Sequence, residues 1–153
     1  MIETEKNQEA AAAAKLSAML KSAGLKMTPP RLDVLKRLTE ARRPMSHAEL
    51  QDAMPEMDRV TLYRTLFTFV EADIAHQVQG LDGTWRFCSH VRGSVGCPGN
   101  HPHFLCVSCG MMMCLTDQEL PRVQIPEGYT VQGKQLVAYG KCPECVSKEI
   151  EEK

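Results

Sequence analysis

Residues 58–70, DRVTLYRTLFTFV, predict the amphipathic helix on which the fold of the N-terminal half depends. Its apolar side chains recur at the spacing of one helical face: Leu62, Leu66, Phe69 and Val70. Asp58 stands at the N-cap position, where its carboxylate can accept a hydrogen bond from the first turn. Arg64 points away from the apolar face, with Thr61 beside it and Tyr63 at the border. The helix therefore buries one side and presents Thr, Tyr and Arg on the other.

Three further helices are predicted upstream of this one. Residues 16–23 carry apolar side chains with a helical period, and Gly24 provides a C-terminal stop. Thr28-Pro29 can open a second helix, because Thr is a suitable N-cap and Pro fits the first turn. Its predicted buried positions are Leu32, Leu35 and Leu38. Residues 46–49, SHAE, form a capping-box sequence for a short third helix, which must end near Pro55.

A short β-hairpin is predicted directly after the helices. Residues 76–79 and 84–87 have the character of two strands, and the Gly-Leu-Asp-Gly sequence at 80–83 is a turn between them. Helices followed by a hairpin are the plan of a winged helix-turn-helix, whose recognition helix enters the major groove of DNA.

Composition excludes several classes of protein. The chain has 153 residues, is 43% hydrophobic and carries 18 Lys+Arg against 19 Asp+Glu. These values argue against a disordered chain, and no segment resembles a membrane span or a signal peptide, so a cytoplasmic protein without a membrane partner is expected. The net charge of −1 argues weakly against DNA binding. Between Lys15 and Phe69, however, there are ten basic and six acidic residues. This local positive excess could supply contacts to DNA phosphates. A merely solvated helix face remains the alternative from the pattern alone.

All seven cysteines lie at or beyond Cys88, which separates a helical half from a Cys/His-rich half. Four of them form two Cys-x-x-Cys pairs: Cys106, Cys109, Cys142 and Cys145. Each such turn can place two sulfurs on one ion, and two turns complete a closed tetrahedral zinc site. Unrelated buried thiols are the first alternative. A thioredoxin-like redox motif is the second, but nothing around either pair resembles a βαβ unit.

A second group of His and Cys residues lies around the junction of the two halves. The candidate ligands are His76, Cys88, His101 and His103. The apolar residues 104–106 look like a strand, and alternation along it would put both imidazoles of the His-Pro-His sequence on one face. His90, Cys97 and Cys114 are possible extra ligands. Mixed nitrogen and sulfur donors suit Zn²⁺, whereas a carboxylate-rich set would suit Mn²⁺ or Fe²⁺ better. The alternative is that some of these histidines are only polar surface groups.

Four segments together carry a resemblance to a known family: residues 24–31 (GLKMTPPR), 59–66 (RVTLYRTL), 101–110 (HPHFLCVSCG) and the closing Cys-x-x-Cys. In this order and spacing, from about Leu16 to Cys145, the chain resembles the ferric-uptake-regulator superfamily of bacterial metal-responsive repressors. The resemblance implies an α+β fold, with a winged helix-turn-helix and N-terminal extension over residues 1–88. It further implies a small α/β metal-binding dimerisation domain over residues 89–153. A homodimer that binds a palindromic double-stranded operator is expected, without a small organic substrate.

The resemblance also assigns roles to individual residues. Tyr63 and Arg64 match the recognition-helix pair, and Arg31 matches a basic residue that approaches the DNA. The closing cysteine pairs match a structural zinc site, and the His76/Cys88/His101/His103 group matches the regulatory metal site. A thiol at position 88, where iron and peroxide sensors have a carboxylate, is similar to the zinc-uptake branch. Cys114 stands where relatives often have a Glu ligand.

Three functions are compatible with these patterns. The preferred one is a repressor that responds to a second divalent metal, with Zn²⁺ expected. An iron- or peroxide-responsive regulator of the same family is the first alternative. A zinc enzyme is the second, but it would need a general base near the metal, and no Asp or Glu lies in the ten residues before His101. A regulator without enzymatic activity is therefore predicted.

Overall fold

The computed structural model describes residues 2–89 and 101–152, which form two consecutive units. The first contains, in chain order, α1 (Ile2–Ser22), α2 (Pro29–Ala41), β1 (Met45–Ser46), α3 (His47–Ala53), α4 (Arg59–Glu71), β2 (Ala75–Gln79) and β3 (Trp85–Ser89). The second contains β4 (His103–Cys106), β5 (Met112–Cys114), β6 (Val137–Gly140) and α5 (Pro143–Glu151). Each unit has one three-stranded sheet, in the orders β1-β3-β2 and β5-β4-β6. The predicted α+β class with an N-terminal winged helix is confirmed.

Helices α2, α3 and α4 begin at the residues that the sequence predicts, whereas α1 begins at Ile2, well before the predicted residues 16–23, and α5 was not predicted. At α3 the capping box is complete: the Ser46 hydroxyl accepts from the Glu49 amide at 3.1 Å, and the Ser46 amide donates to the Glu49 carboxylate at 2.8 Å. At α4 the Asp58 carboxylate accepts from the Thr61 amide at 2.8 Å. Thr28 is the N-cap of α2 through its extended backbone, without a side-chain cap bond. These local bonds satisfy amides that have no partner within a helix, so they set the starts of α3 and α4.

Three helices end at a residue with left-handed backbone, and two of these ends, after α1 and α4, share the same hydrogen-bond pattern. After α1, Gly24 has φ 72°, and the Leu25 amide donates to the Leu20 carbonyl at 2.9 Å. After α4, Asp73 has φ 57°, and the Ile74 amide donates to the Phe69 carbonyl at 3.0 Å. Both are Schellman-type ends, in which a carbonyl of the last turn is satisfied from beyond the helix.

The main hydrophobic core joins the helices to the first sheet. Its buried members are Leu16, Leu20, Val34, Leu35, Leu38, Met45, Leu50, Leu62, Leu66, Phe69, Ile74, Ala75 and Phe87. Two predicted core positions, Leu32 and Val70, are only partly buried, while Val34 and Thr65 are buried instead. The helical period locates a buried face approximately. The exact centre of that face depends on the neighbours, which for α2 are α1, α4 and β3.

A smaller core connects the two units. Val78 on β2 packs with Leu105 on β4, Met112 on β5 and, at its edge, Val137 on β6. β4 pairs antiparallel with β5 and parallel with β6. The β2–β3 hairpin, here called the wing, therefore packs its inner face on the second sheet. None of the helices in the described ranges is long and apolar enough to cross a membrane.

The C-cap of α2 offers a test of backbone strain. Arg42 is exposed and has φ 52°, a conformation that costs a residue with a Cβ about 1 kcal/mol relative to Gly. We therefore expect Arg42→Gly to raise the free energy of unfolding by about 1 kcal/mol in urea titrations. Arg42→Ala is the matched control, because it removes the same side chain but keeps the strain. Equal stability of the two variants would contradict this explanation.

Candidate metal centres and nucleic-acid interface

The four cysteines of the two Cys-x-x-Cys pairs converge into one group, called the four-cysteine cluster below. The sulfurs of Cys106, Cys109, Cys142 and Cys145 all lie within 4.8 Å of one another. Cys106 and Cys109 flank the turn after β4, and the second pair begins α5, for which Cys142 is the N-cap. The Cys109 and Cys142 sulfurs are 3.9 Å apart. Two sulfurs bound tetrahedrally at about 2.3 Å to one zinc would be about 3.8 Å apart, so the spacing fits such an ion.

The protonation chemistry of this cluster also fits a cation. Backbone amides of Cys109 and Cys142 donate to the Cys106 sulfur and lower the pKa of that thiol to about 6. Hydrogen bonding to the Cys142 sulfur, with burial and the nearby Cys106 thiolate, raises the pKa of Cys145 to about 12. One thiolate is thus stabilised by the backbone, while ionisation of Cys145 is opposed by its hydrogen bonds, by burial and by the nearby thiolate. A bound divalent cation would remove that opposition.

Three imidazoles meet in a second cluster between the wing and the second sheet. The ring nitrogens of His76, His101 and His103 lie within 4.8 Å of one another, and the ring centroids of His101 and His103 are 4.6 Å apart. His76 comes from β2, His103 opens β4, and His101 precedes that strand. His101 and His103 are almost completely buried. Within the described part of the chain, neither ring nitrogen of His103 has a hydrogen-bond partner. A buried imidazole with two unsatisfied nitrogens is costly, and metal ligation would satisfy one of them.

Among the described side chains, Cys88 does not join the three imidazoles at that distance and approaches Cys114 instead. The two sulfurs are 3.8 Å apart, too far for a disulfide and suited to two ligands of one ion. Cys88 on β3 lies directly opposite His76 on β2, and Cys114 on β5 lies directly opposite His103 on β4. Each strand pair therefore carries one His/Cys pair toward the junction. The structure brings together the predicted histidines and adds Cys114 beside Cys88. The possible ligands His90 and Cys97 lie outside the described residues.

The predicted DNA-contact residues lie on the exposed side of the winged helix. Arg64 is exposed, and Tyr63 is 55% exposed on α4. The Tyr63 ring packs on Phe67 with centroids 4.6 Å apart, and Phe67 packs edge-on against the buried Phe87. Phe67 thus supports the orientation of Tyr63, a role that its position on the polar flank of the helix did not predict. Thr61 is partly exposed beside the N-cap of α4.

Arg31 lies in the first turn of α2. Its guanidinium donates to the Lys26 carbonyl at 2.9 Å. A groove between α3, α4 and the wing is lined by His47, Arg59, Val60, Tyr63 and Trp85, among others. Trp85 at the start of β3 is a candidate contact that sequence reasoning missed.

Arg86, which the sequence did not single out, is buried between the wing turn and the four-cysteine cluster. It is 4% exposed, and its guanidinium forms a two-point ion pair with Asp82 at 2.8 and 3.1 Å. The same guanidinium donates to the Gly110 carbonyl at 2.9 Å. Gly110 follows Cys109 directly, so this bond connects the wing to the metal-binding turn.

The Asp82–Arg86 pair predicts a specific acid sensitivity. The Arg86 guanidinium lowers the pKa of Asp82 from 3.8 to about 2, so the pair stabilises the fold above pH 4 and is lost as the pH falls toward 2. The Asp82 side chain is 42% exposed, so solvent screening limits the contribution to about 1 kcal/mol. When the pH is lowered from 5 to 3, the free energy of unfolding should fall for wild type by about 1 kcal/mol more than for Asp82→Asn. Urea titrations at the two pH values measure this difference. Asp52→Asn, at an exposed carboxylate on α3, should keep the wild-type dependence; identical curves for all three proteins would contradict the assignment.

Comparisons with known proteins identify the family and the fold of the chain. The chain matches the ferric uptake regulator family over residues 22–139. The ferric uptake regulation protein of Vibrio anguillarum is 32% identical over 134 residues, covering 80% of this chain and 85% of that protein. Two solved structures share the fold. A zinc uptake regulator complexed with zinc and DNA has TM-score 0.62 at 20% identity, covering 92% of this chain and 96% of that one. The ferric uptake regulator of Vibrio cholerae has TM-score 0.57 at 24% identity, covering 80% and 96%.

A winged helix followed by a small sheet with clustered Cys and His side chains defines a metal-responsive transcriptional regulator. The chain belongs to the ferric uptake regulator family. This membership confirms the predicted family, and it confirms a regulator in place of the enzyme alternative.

Proposed function

We propose that this protein is a zinc-responsive repressor that binds a palindromic operator as a homodimer when its second metal site is filled. The observation that carries the proposal is the convergence of His76, His101 and the unsatisfied, buried His103 between the wing and the second sheet. The donors come from both sides of that junction. A divalent cation held there would offset the cost of burying these polar groups and would favour the docked position of the wing.

The ligand positions explain how occupancy of the site can reach the DNA-binding surface. His76 and Cys88 face each other across the wing, and His103 and Cys114 face each other across β4 and β5. When donors from both strand pairs bind one ion, the two strand pairs cannot turn relative to each other. The wing contributes Ala75 and Phe87 to the core that also contains the buried face of α4, so its orientation is passed on to the recognition helix. Metal then acts only through its preference for this docked arrangement.

The donor set favours zinc over iron. Imidazole and thiolate are softer ligands than the carboxylates that suit Fe²⁺ or Mn²⁺. The proposed set is His76, Cys88, His101 and His103, with Cys114 as an additional sulfur 3.8 Å from Cys88. The names of the curated relatives refer to ferric uptake, so an iron-responsive regulator is the second candidate. The four-cysteine cluster is proposed as a separate, structural zinc site with Cys106, Cys109, Cys142 and Cys145.

The exposed apolar residues of the second unit support homodimer formation. Large apolar side chains lie on its surface: Val123, Ile125, Tyr129, Val131, Leu136, Tyr139 and Ile150. A monomer seldom exposes so many over one short region, and a second copy of the chain would cover them. We therefore propose residues 89–153 as the dimerisation domain and residues 1–88 as the DNA-binding domain. In the dimer, two α4 helices would occupy half-sites one or more helical turns of DNA apart, and a bacterial regulator of this kind would act in the cytoplasm.

A DNA-binding titration with and without metal tests the proposed function. The protein with a filled four-cysteine cluster is titrated onto a mixed pool of DNA duplexes, and the bound sequences are recovered. We expect a palindromic sequence to be enriched with added Zn²⁺, and its affinity to fall by about 100-fold when the second site is emptied. Equal affinity with and without Zn²⁺ would overturn the proposal. The same titration with Fe²⁺ under anaerobic conditions separates the two candidates, because a larger response to Fe²⁺ would favour the iron regulator.

Metal analysis identifies the ligands of the second site. Wild type is expected to bind two Zn²⁺ per chain, and Cys88→Ala only one at comparable free zinc. Cys114→Ala tests the added sulfur in the same assay. Retention of the second ion by Cys88→Ala would remove Cys88 from the set.

The recognition surface is tested by Arg64→Ala. Its guanidinium is exposed and is proposed to contact DNA, so its removal from both protomers should weaken operator binding by at least about tenfold. Lys36→Ala, which removes an exposed basic side chain on α2, is the matched control and should change affinity far less. Binding is measured by fluorescence anisotropy at one fixed salt concentration. Equal losses in the two variants would mean that Arg64 contributes only general charge.

A further inference from the structure

Arg86 is buried and bonds to both units, although its position on a wing strand requires neither feature. It lies on the wing yet is 4% exposed, and its guanidinium has acceptors on two different units. Asp82 and the Thr84 carbonyl belong to the wing turn, at 2.8 to 3.3 Å. The Gly110 carbonyl belongs to the turn after β4, at 2.9 Å. A buried guanidinium is costly unless its donors are satisfied. The Arg86 Nε has no partner among the described residues, so loss of the Gly110 carbonyl would leave a second buried donor unsatisfied, and the docked position of the wing depends on that carbonyl.

The surroundings of Arg86 are shaped for this contact. A Cβ at Gly80 would lie 2.7 Å from both the Arg86 Nη1 and the Asp82 Oδ1, so only glycine leaves the ion pair its room. Gly110 has φ 75°, and its amide donates to the Cys106 carbonyl at 2.9 Å. This turn, residues 106–110, contains the first Cys-x-x-Cys pair. The direction of the Gly110 carbonyl is therefore set by the same turn that positions two sulfurs of the four-cysteine cluster.

We propose that Arg86 is a positioning residue through which the turn at residues 106–110 controls the orientation of the wing. The inference rests on the proposed function in one respect, since it takes the four-cysteine cluster to be a zinc site. Metal bound by the four sulfurs holds the turn in one conformation, and Arg86 transmits that conformation to the wing by its bond to Gly110. The four-cysteine cluster thus has a role in DNA binding beyond the stability of its own unit.

The positions of the contacts along the wing explain why this second link matters. His76 and Cys88 form a cross-strand pair near the base of the hairpin, and Arg86 pairs with Val78 closer to its turn. Beside Arg86, the Gln79 carbonyl accepts from the Gln135 side chain at 3.1 Å. One attachment at the base would leave the hairpin free to pivot. Attachments at the base and near the turn fix its direction, so the second metal site and the Arg86 contact act together.

Amide hydrogen exchange tests the coupling in the full-length chain. A His103→Ala background disables the second site, so one equivalent of Zn²⁺ loads only the four-cysteine cluster. With Arg86 present, loading is expected to slow exchange over residues 75–89 by about tenfold or more. With Arg86→Met, which keeps the length of the side chain but no donor, the slowing that remains reflects the folding of the second unit and its contact with Val78, and it should stay below about threefold. Arg86→Lys, which keeps the charge but not the two-sided geometry, should give an intermediate response.

The matched control is Phe87→Leu, which weakens the N-terminal core on the same strand without a contact to Gly110. It should retain the full response to Zn²⁺, even with a lower melting temperature. An unchanged response in Arg86→Met, or a loss of response in Phe87→Leu, would overturn the proposal. Failure of the proposed function is distinguishable, because DNA binding that ignores the second metal would leave this exchange result intact. If the wild-type four-cysteine cluster bound no Zn²⁺, the inference and the structural zinc site would both fail.

Discussion

Replacing Cys142 by Ser is expected to unfold the second unit and to remove one Zn²⁺ per chain. Cys142 is buried, caps α5, lies 3.9 Å from the Cys109 sulfur and donates its amide to the Cys106 sulfur at 3.3 Å. The core that links this unit to the wing contains only Val78, Leu105, Met112 and Val137 among the described residues. So small a core cannot offset the entropy of folding, whereas a structural zinc site supplies about 10 kcal/mol or more.

The effect of Cys142→Ser is measured by zinc analysis and by the exchange or proteolysis of residues 101–152. The first unit should remain folded, since it has an extensive buried core of its own. Ser108→Ala is the control, because it changes an exposed residue inside the first Cys-x-x-Cys pair and keeps all four sulfurs. A fully folded second unit in Cys142→Ser without zinc would show that packing alone stabilises it.

The second large effect is expected for His103→Ala, which should abolish the response of DNA binding to zinc. His103 is buried, faces Cys114 across the sheet, and lies within the three-imidazole cluster. Without its ring, the second site keeps only His101 as an imidazole donor from the second unit, and the remaining donors should bind Zn²⁺ too weakly to hold the wing. The ratio of operator affinities with and without Zn²⁺ should fall from about 100 to near one.

His47→Ala is the matched control for this ratio. His47 lies outside the metal clusters, near Tyr63 at a ring distance of 6.3 Å, so its loss affects the DNA-binding surface alone. The operator affinity of His47→Ala can fall, but the ratio of its affinities with and without Zn²⁺ should stay at the wild-type value. A His103→Ala protein that keeps the wild-type ratio would show that the imidazole cluster is not the sensing site.

The two units differ in how far their structures could be predicted from the sequence. The caps at Ser46 and Asp58 and the turn at Gly24 follow from bonds between residues close in the chain, so a short window contains the information. Each Cys-x-x-Cys pair is also a local motif. The approach of the two pairs to each other, however, depends on the fold. Leu32 and Val70 are predicted to be buried but are only partly buried, because the helical period locates a face and not the neighbours that cover it.

The candidate site shows the same limit. The approach of Cys88 to Cys114 spans 26 positions and depends on how the wing docks on the second sheet. The meeting of His76 with His101 and His103 depends on the same docking, because no local rule brings separate strands together. Arg86 could not be recognised at all, since a basic residue in a wing is ordinarily solvent-exposed or directed at DNA. Its burial is visible only where Asp82 and the Gly110 carbonyl converge on it.

The helix begun by Asp58 is the clearest case of structure that could be deduced from the chain alone, because its cap, its buried stripe and its exposed Tyr63 and Arg64 follow from short-range bonds and periodicity. The two Cys-x-x-Cys pairs likewise indicated a shared zinc site, because a closed tetrahedral site needs four such donors. Only the folded molecule shows where the wing docks on the second sheet. The same is true of the neighbours of the second metal site and of the buried contacts of Arg86. Ligand sets and buried ion pairs are assembled by long-range packing, and residues that are neighbours in sequence do not encode that packing.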